Sequence, residues 1–150
     1  MRMRVLAIAA VVSLLATTAG AQNGPRQKSL YDRLGGKEAI TAVVDEFVAR
    51  VAADTRINQF FAATASNPAR LASFKTKLVD QICEASGGPC KYTGKDMKGA
   101  HSGMGISTAD FNALVEDLVG ALDKFKVGAA EKSQLLGVLG PMQGQIVEKK

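Results

Sequence analysis

The chain has 150 residues, a formal net charge of +5, two cysteines, one histidine and no tryptophan. That length suits one domain around one core. The lysines are scattered rather than striped, and the few aromatics are mostly Phe at core-like spacings, so no nucleic-acid partner is expected. A CxxCH motif is absent, which excludes a covalently attached c-type haem. A CxxC pair and a Cys/His cluster suited to zinc are absent too.

The N-terminus reads as a targeting segment. Arg2 and Arg4 precede a run, Val5 to Ala16, that is apolar apart from Ser13, and Ala19-Gly20-Ala21 has the small-x-small pattern of a cleavage site. The run is shorter than the roughly 20 residues that cross a bilayer. The expected division is a signal peptide over 1–21 and a mature domain over 22–150, with an uncleaved anchor as the alternative. Cleavage would remove Arg2 and Arg4 and lower the formal charge from +5 to +3. Export, with periplasmic residence and no stable membrane insertion after cleavage, is the expectation.

Ser29 and Asp32 have the spacing of a capping box opening a short helix, which Gly35-Gly36 closes. Ile40, Val43, Val44, Phe47, Val48 and Val51 then recur at helical spacing as one apolar stripe. Asp54 caps a short turn that holds Ile57, Phe60 and Phe61. Asn67-Pro68 is a strong helix start, and Leu71, Phe74, Leu78 and Ile82 follow on one face until Gly87-Gly88-Pro89 ends the helix. Residues 89–95 read as a loop, followed by a short helix carrying Met97 and His101. A second capping box, Ser107 with Asp110, opens a helix whose expected apolar face is Phe111, Leu114, Val115, Leu118, Leu122 and Phe125. The last helix, from about Ala129, uses Leu135, Leu136, Leu139, Met142 and Ile146, and Pro141 should kink it. No run alternates with period two, so the fold class is all-α.

Cys83 and Cys90 could pair in an oxidising compartment or stand as separate thiols, because spacing does not fix Cα geometry. The lone His101 lies between Gly99-Ala100 and Ser102-Gly103, so a wide, flat group could approach its imidazole without meeting a bulky neighbour. A lone histidine in a helical protein is more often structural than a ligand. Against that, only Asp96 is close enough in sequence to partner it in acid–base chemistry, and the Phe-rich stripes supply more apolar surface than a small core needs.

Leu30-Tyr31-Asp32-Arg33-Leu34-Gly35-Gly36, Phe60-Phe61, Gly87-Gly88-Pro89 with Tyr92-Thr93-Gly94 and Met97, then His101 and Phe111, resemble in order and spacing the group I truncated haemoglobins. The resemblance spans residues 29–147. It implies a two-over-two helical sandwich around haem b, with His101 as proximal iron ligand and its other ring nitrogen donating to a backbone carbonyl. Phe61 matches the haem-packing phenylalanine, and Phe60, Phe47, Ile82, Tyr92, Met97, Ile106, Phe111 and Leu114 would complete the pocket. The implied partners are diatomic gases, O2, NO or CO, with room for a redox partner and a monomeric assembly. Nitric oxide dioxygenase or reductase activity is left open as a side reaction.

Departures from the family pattern lie on the distal side. Members often carry Tyr where this chain has Val48, and Gln at one or both positions matching Phe74 and Leu78. A ligand in the pocket would meet no neutral hydrogen-bond donor from these three positions, so oxygen binding should be weaker or iron oxidation faster. Lys77 lies at the edge of the same face, where some relatives place an iron-coordinating residue. Ligation needs a neutral amine, which for an ordinary lysine costs about 4.6 kcal/mol at pH 7, so a propionate contact competes with it. Six-coordinate His101/Lys77 iron would make the protein an electron-transfer protein, the alternative to ligand binding.

Overall fold

The computed structural model describes residues 27–150. The expected signal peptide lies outside the described residues. Among those described there is no β-strand, only an isolated parallel bridge between Ser107 and Lys149.

The local signals fold as their chemistry dictates. Helix α1 (Leu30–Arg33) opens on a reciprocal capping box: Ser29 Oγ accepts from the Asp32 amide at 3.1 Å, and Asp32 Oδ2 accepts from the Ser29 amide at 3.2 Å. Helix α2 (Gly36–Ala53) buries Ile40, Val43, Val44, Phe47 and Val51, while Val48 is half-buried at the edge of that stripe. A 3₁₀ turn (Asn58–Phe60) and helix α3 (Ala62–Ala65) form the corner that holds Phe60 and Phe61. Asn67 caps helix α4 (Pro68–Ala85) by accepting from the Arg70 amide at 3.0 Å, with Pro68 in the first turn.

Helix α5 (Met97–His101) is a single short turn of helix capped by Asp96. Helix α6 (Thr108–Lys124) starts at the Ser107/Asp110 capping box. Helix α7 (Ala129–Leu139) ends at a 3₁₀ turn holding Pro141, and helix α8 (Gln143–Ile146) follows. The proline therefore breaks the last helix, since its ring and missing N–H cannot continue the ladder.

Helix α2 packs on both α4 and α6, α1 packs on α7, and α5 packs on α8. One large cluster built on α2, α4, α6 and Leu135 forms the core, and a smaller one joins Ile106, Phe111 and Ile146. Phe125 departs from expectation: it is 45% exposed rather than on the buried face of α6. The helix ends at Lys124, and Lys126 at φ 56° turns the chain, so the stripe stops one step before Phe125. The face instead buries Ala113 and Ala121 completely, at 2% and 0% exposure. Both alanines belong to the main core cluster.

Two sequence motifs turn out to touch. The Tyr31 amide donates to the Ser86 carbonyl at 2.8 Å, and the Tyr31 hydroxyl accepts from the Lys37 amide at 3.0 Å. A Cβ at Gly88 would lie 2.5 Å from the Tyr31 ring and 2.7 Å from Cys83 Sγ, so only glycine fits there. Cys83, fully buried, is joined to Cys90 in a disulfide with Cα atoms 5.7 Å apart. This resolves the open pairing and ties the end of α4 to the loop leading into α5.

Candidate functional site

Helix α5 brings His101 to the wall of a cavity of about 420 Å³. Asp96 Oδ1 accepts from the Gly99 amide at 2.6 Å, starting the helix that places His101 about one turn after Met97. His101 Nδ1 lies 2.7 Å from the Met97 carbonyl oxygen. A carbonyl can only accept, so Nδ1 carries a proton, and in the neutral ring the lone pair is then on Nε2. That is the tautomer a metal-ligating histidine needs.

The other walls are mostly apolar. The corner supplies Ile57, Phe60 and Phe61, α4 supplies Phe74 and Leu78, and α6 supplies Phe111 and Leu114. Met97, Met104, Ile106 and Ile146 close the side nearest α5 and α8. The rings of Phe61 and Phe74 are 5.8 Å apart and tilted by 56°. Polar groups are few: Lys77 and Gln81 from α4, Tyr92 and Lys95 from the loop, Thr64 and Asp110. Asp110 spends its charge on the helix cap, where the amide and hydroxyl of Ser107 hold its carboxyl below the usual range. Burial pushes the Tyr92 phenol up, with the Asp96 charge adding to it, so the hydroxyl stays protonated and donates to the Lys95 carbonyl at 2.6 Å. Among the described residues Lys77 is in no ion pair, whereas its neighbour Lys75 pairs with Asp45 at 2.8 Å.

The cavity thus gathers Phe60, Phe61, Phe74, Lys77, Leu78, Tyr92, Met97, His101, Ile106, Phe111 and Leu114, all singled out from the sequence. Three residues expected in it lie elsewhere. Phe47 and Val48 line a separate space of about 20 Å³ beside α2; Phe61 and Phe74 border both spaces and stand between them. Ile82 is buried in the main core, beside Ile40 and Val43. Each residue turns a helix by about 100°, so Ile82 sits about 40° past Leu78, away from Phe74, Lys77 and Gln81. Gln81 was missed, although it follows Lys77 by one turn. Its Nε2 donates weakly to the sulfurs of Met97 and Met142, at 3.4 and 3.6 Å.

A cavity of this size falls in the range that holds cofactors, about 300–1,000 Å³. Aromatic walls, a histidine with a free nitrogen and two ammonium groups suit a flat apolar macrocycle carrying iron and two carboxylates. A family model of bacterial-like globins matches residues 29–148. A group 1 truncated haemoglobin of Mycolicibacterium paratuberculosis is 38% identical over 118 residues, covering 79% of this chain and 83% of that protein. The chain belongs to the truncated haemoglobins.

Solved structures agree. The Fe(III) truncated haemoglobin of Tetrahymena pyriformis superposes with a TM-score of 0.73 at 30% identity, covering 81% of this chain and all of the other. The 2/2 haemoglobin of Synechococcus, in its cyanomet state with covalently attached haem, gives 0.73 at 28% identity over 81% of this chain and 100% of that one. The fold is therefore the two-over-two globin sandwich. As a truncated haemoglobin this protein binds haem b and takes diatomic gases as ligands.

Proposed function

We propose that His101 is the proximal iron ligand and that the protein is an exported, monomeric truncated haemoglobin that reversibly binds O2, NO or CO. The observation that carries this reading is the His101 Nδ1 hydrogen bond to Met97, which leaves Nε2 as the free nitrogen of a cavity-lining histidine. When bound, haem supplies an iron with an open coordination position for a diatomic ligand. The chain's own residues exclude water with the Phe60, Phe61, Phe74 and Phe111 rings and hold the imidazole in one tautomer.

Export is supported by the basic and apolar N-terminal pattern of Arg2, Arg4 and Val5 to Ala16. The Cys83–Cys90 disulfide supports it independently, because such bonds persist in oxidising compartments such as the periplasm. Any nitric oxide dioxygenase turnover would draw on a separate reductase as redox partner.

Lys77 has two roles open to it. The leading one is a charged partner for a haem propionate, since its ammonium is exposed at the cavity and has no carboxylate of its own among the described residues. The second is a distal iron ligand, favoured because Lys77 and His101 line the same cavity from different helices. That reading would make the protein a six-coordinate electron-transfer protein. Absorption spectra across pH separate the two. A ferric spectrum that stays high-spin up to pH 9 supports the propionate contact, with rapid CO binding to the ferrous form. A low-spin spectrum at neutral pH that turns high-spin on acidification, and reverts to high-spin in Lys77→Ala, supports ligation.

A further inference from the structure

Helix α5 is too short to fix its own orientation. It has no buried residue, and besides its packing on α8 it is held at both ends. The N-terminal end has the Asp96 cap. The C-terminal end runs into the loop Ser102 to Ile106, where the Met104 amide donates to the His101 carbonyl at 3.1 Å.

That loop is gripped from a distant part of the chain. Glu148 Oε1 accepts from the Gly103 amide at 2.7 Å and Oε2 accepts from the Gly105 amide at 2.6 Å. Gly103 and Gly105 have φ of 81° and 67°, the left-handed region that turns alternate amides toward one carboxylate and that other residues adopt only with strain. Behind the carboxylate, the Glu148 and Lys149 amides donate to the Ile106 carbonyl at 2.8 and 3.1 Å, and the Thr108 amide donates to the Lys149 carbonyl at 3.0 Å. Both amide contacts, with the Lys149 charge adding to them, hold the Glu148 carboxyl below its usual range and keep it ionised at neutral pH. Charge-assisted bonds of this length are the strong kind. Each oxygen takes one amide, so a glutamine in the same pose would keep one acceptor and turn its NH2, which only donates, toward the other amide.

From this we infer that Glu148 is a positioning residue for His101: by clasping Gly103 and Gly105 it fixes the loop on which α5 hangs, and so sets the direction of the iron–imidazole bond. The inference rests on the reading of His101 as proximal ligand. Groups that orient a metal ligand without touching the metal typically matter by about 10- to 100-fold in retention of the metal.

The test uses the ferrous holoprotein with Glu148→Gln, Glu148→Ala and Glu148→Asp. Glu148→Gln preserves shape and volume, so it keeps the experiment decisive if the alanine variant folds poorly. Three readouts are taken: the iron–histidine stretching band in resonance Raman, the rate of haem transfer to apomyoglobin, and amide exchange of residues 102–106. Expected are a shifted or broadened band and about 10-fold faster haem loss in Glu148→Gln and Glu148→Ala. Exchange at Gly103 and Gly105 should be faster as well, with partial recovery in Glu148→Asp. A wild-type band position and haem-loss rate in both Glu148→Gln and Glu148→Ala would overturn the inference, even if melting temperatures fell. A band absent both from the wild type and from Lys77→Ala, in which no lysine can occupy the sixth position, would instead sink the assignment of His101 itself.

Discussion

Reducing the Cys83–Cys90 disulfide should lower stability by about 2.5 kcal/mol, the chain-entropy value for so short a closed loop. The structure says why little else should change. Without the S–S bond, the Gly88 amide still donates to the Cys83 carbonyl at 2.7 Å, and Ser86 Oγ to the Ile82 carbonyl at 2.7 Å. Glu84 also still receives the Tyr92 amide at 3.0 Å and Lys91 Nζ at 3.2 Å. The native loop is therefore held by its own hydrogen bonds, and the loss falls on the freed unfolded chain. For a domain of this size, each kcal/mol moves the melting temperature by about 3–5 °C, so a drop of about 8–12 °C is expected. The assay compares thermal melts of oxidised and reduced holoprotein, with Cys90→Ala as the permanent form. Substituting Cys83 would be a poorer choice, since it is fully buried and its loss adds a cavity. Two free thiols on counting in denaturant, or a melting shift under about 2 °C, would refute the reasoning.

Placing a donor in the apolar distal wall should slow ligand loss. A hydrogen bond to a charged partner contributes about 1.5–3 kcal/mol, so Leu78→Gln should slow dissociation of O2 by about 10- to 150-fold in stopped-flow displacement; an unaltered rate would contradict the distal assignment. Away from the haem, burial pushes the Asp117 carboxyl up, the Asp54 charge adds to this, and its Oδ2 is buried without a donor. A carboxyl raised in the folded state loses stability as pH climbs from the ordinary aspartate value through the raised one. Asp117→Asn should therefore raise stability by about 1 kcal/mol at pH 7, with the gain vanishing at acid pH where both forms are neutral. Melting curves at both pH values check it, and a loss at pH 7 would mean that the charge is used.

Much of this was readable in the chain. Both capping boxes, the Asn67-Pro68 start and the break at Pro141 are local devices, each specified within a few residues, and each forms as the sequence dictates. Partitioning apolar side chains between core and cavity was harder. Ile82 and Leu78 belong to one stripe on α4, yet a turn of about 40° sends one to the core and the other to the cavity. Phe47 and Val48 face a side space because the Phe61 and Phe74 rings stand in the way, a packing fact with no signature in α2 itself. Gln81 could have been found at one turn from Lys77. The grip of Glu148 on Gly103 spans 45 residues and could not.

The central claim is that His101 holds the iron, and the most direct measurement is the haem content of purified His101→Gly with and without added imidazole. The account predicts a folded protein with little haem, and recovery of haem and of the wild-type spectrum when imidazole replaces the missing ring. A His101→Gly protein that keeps a full complement of haem and an unaltered ferrous spectrum without imidazole would contradict it.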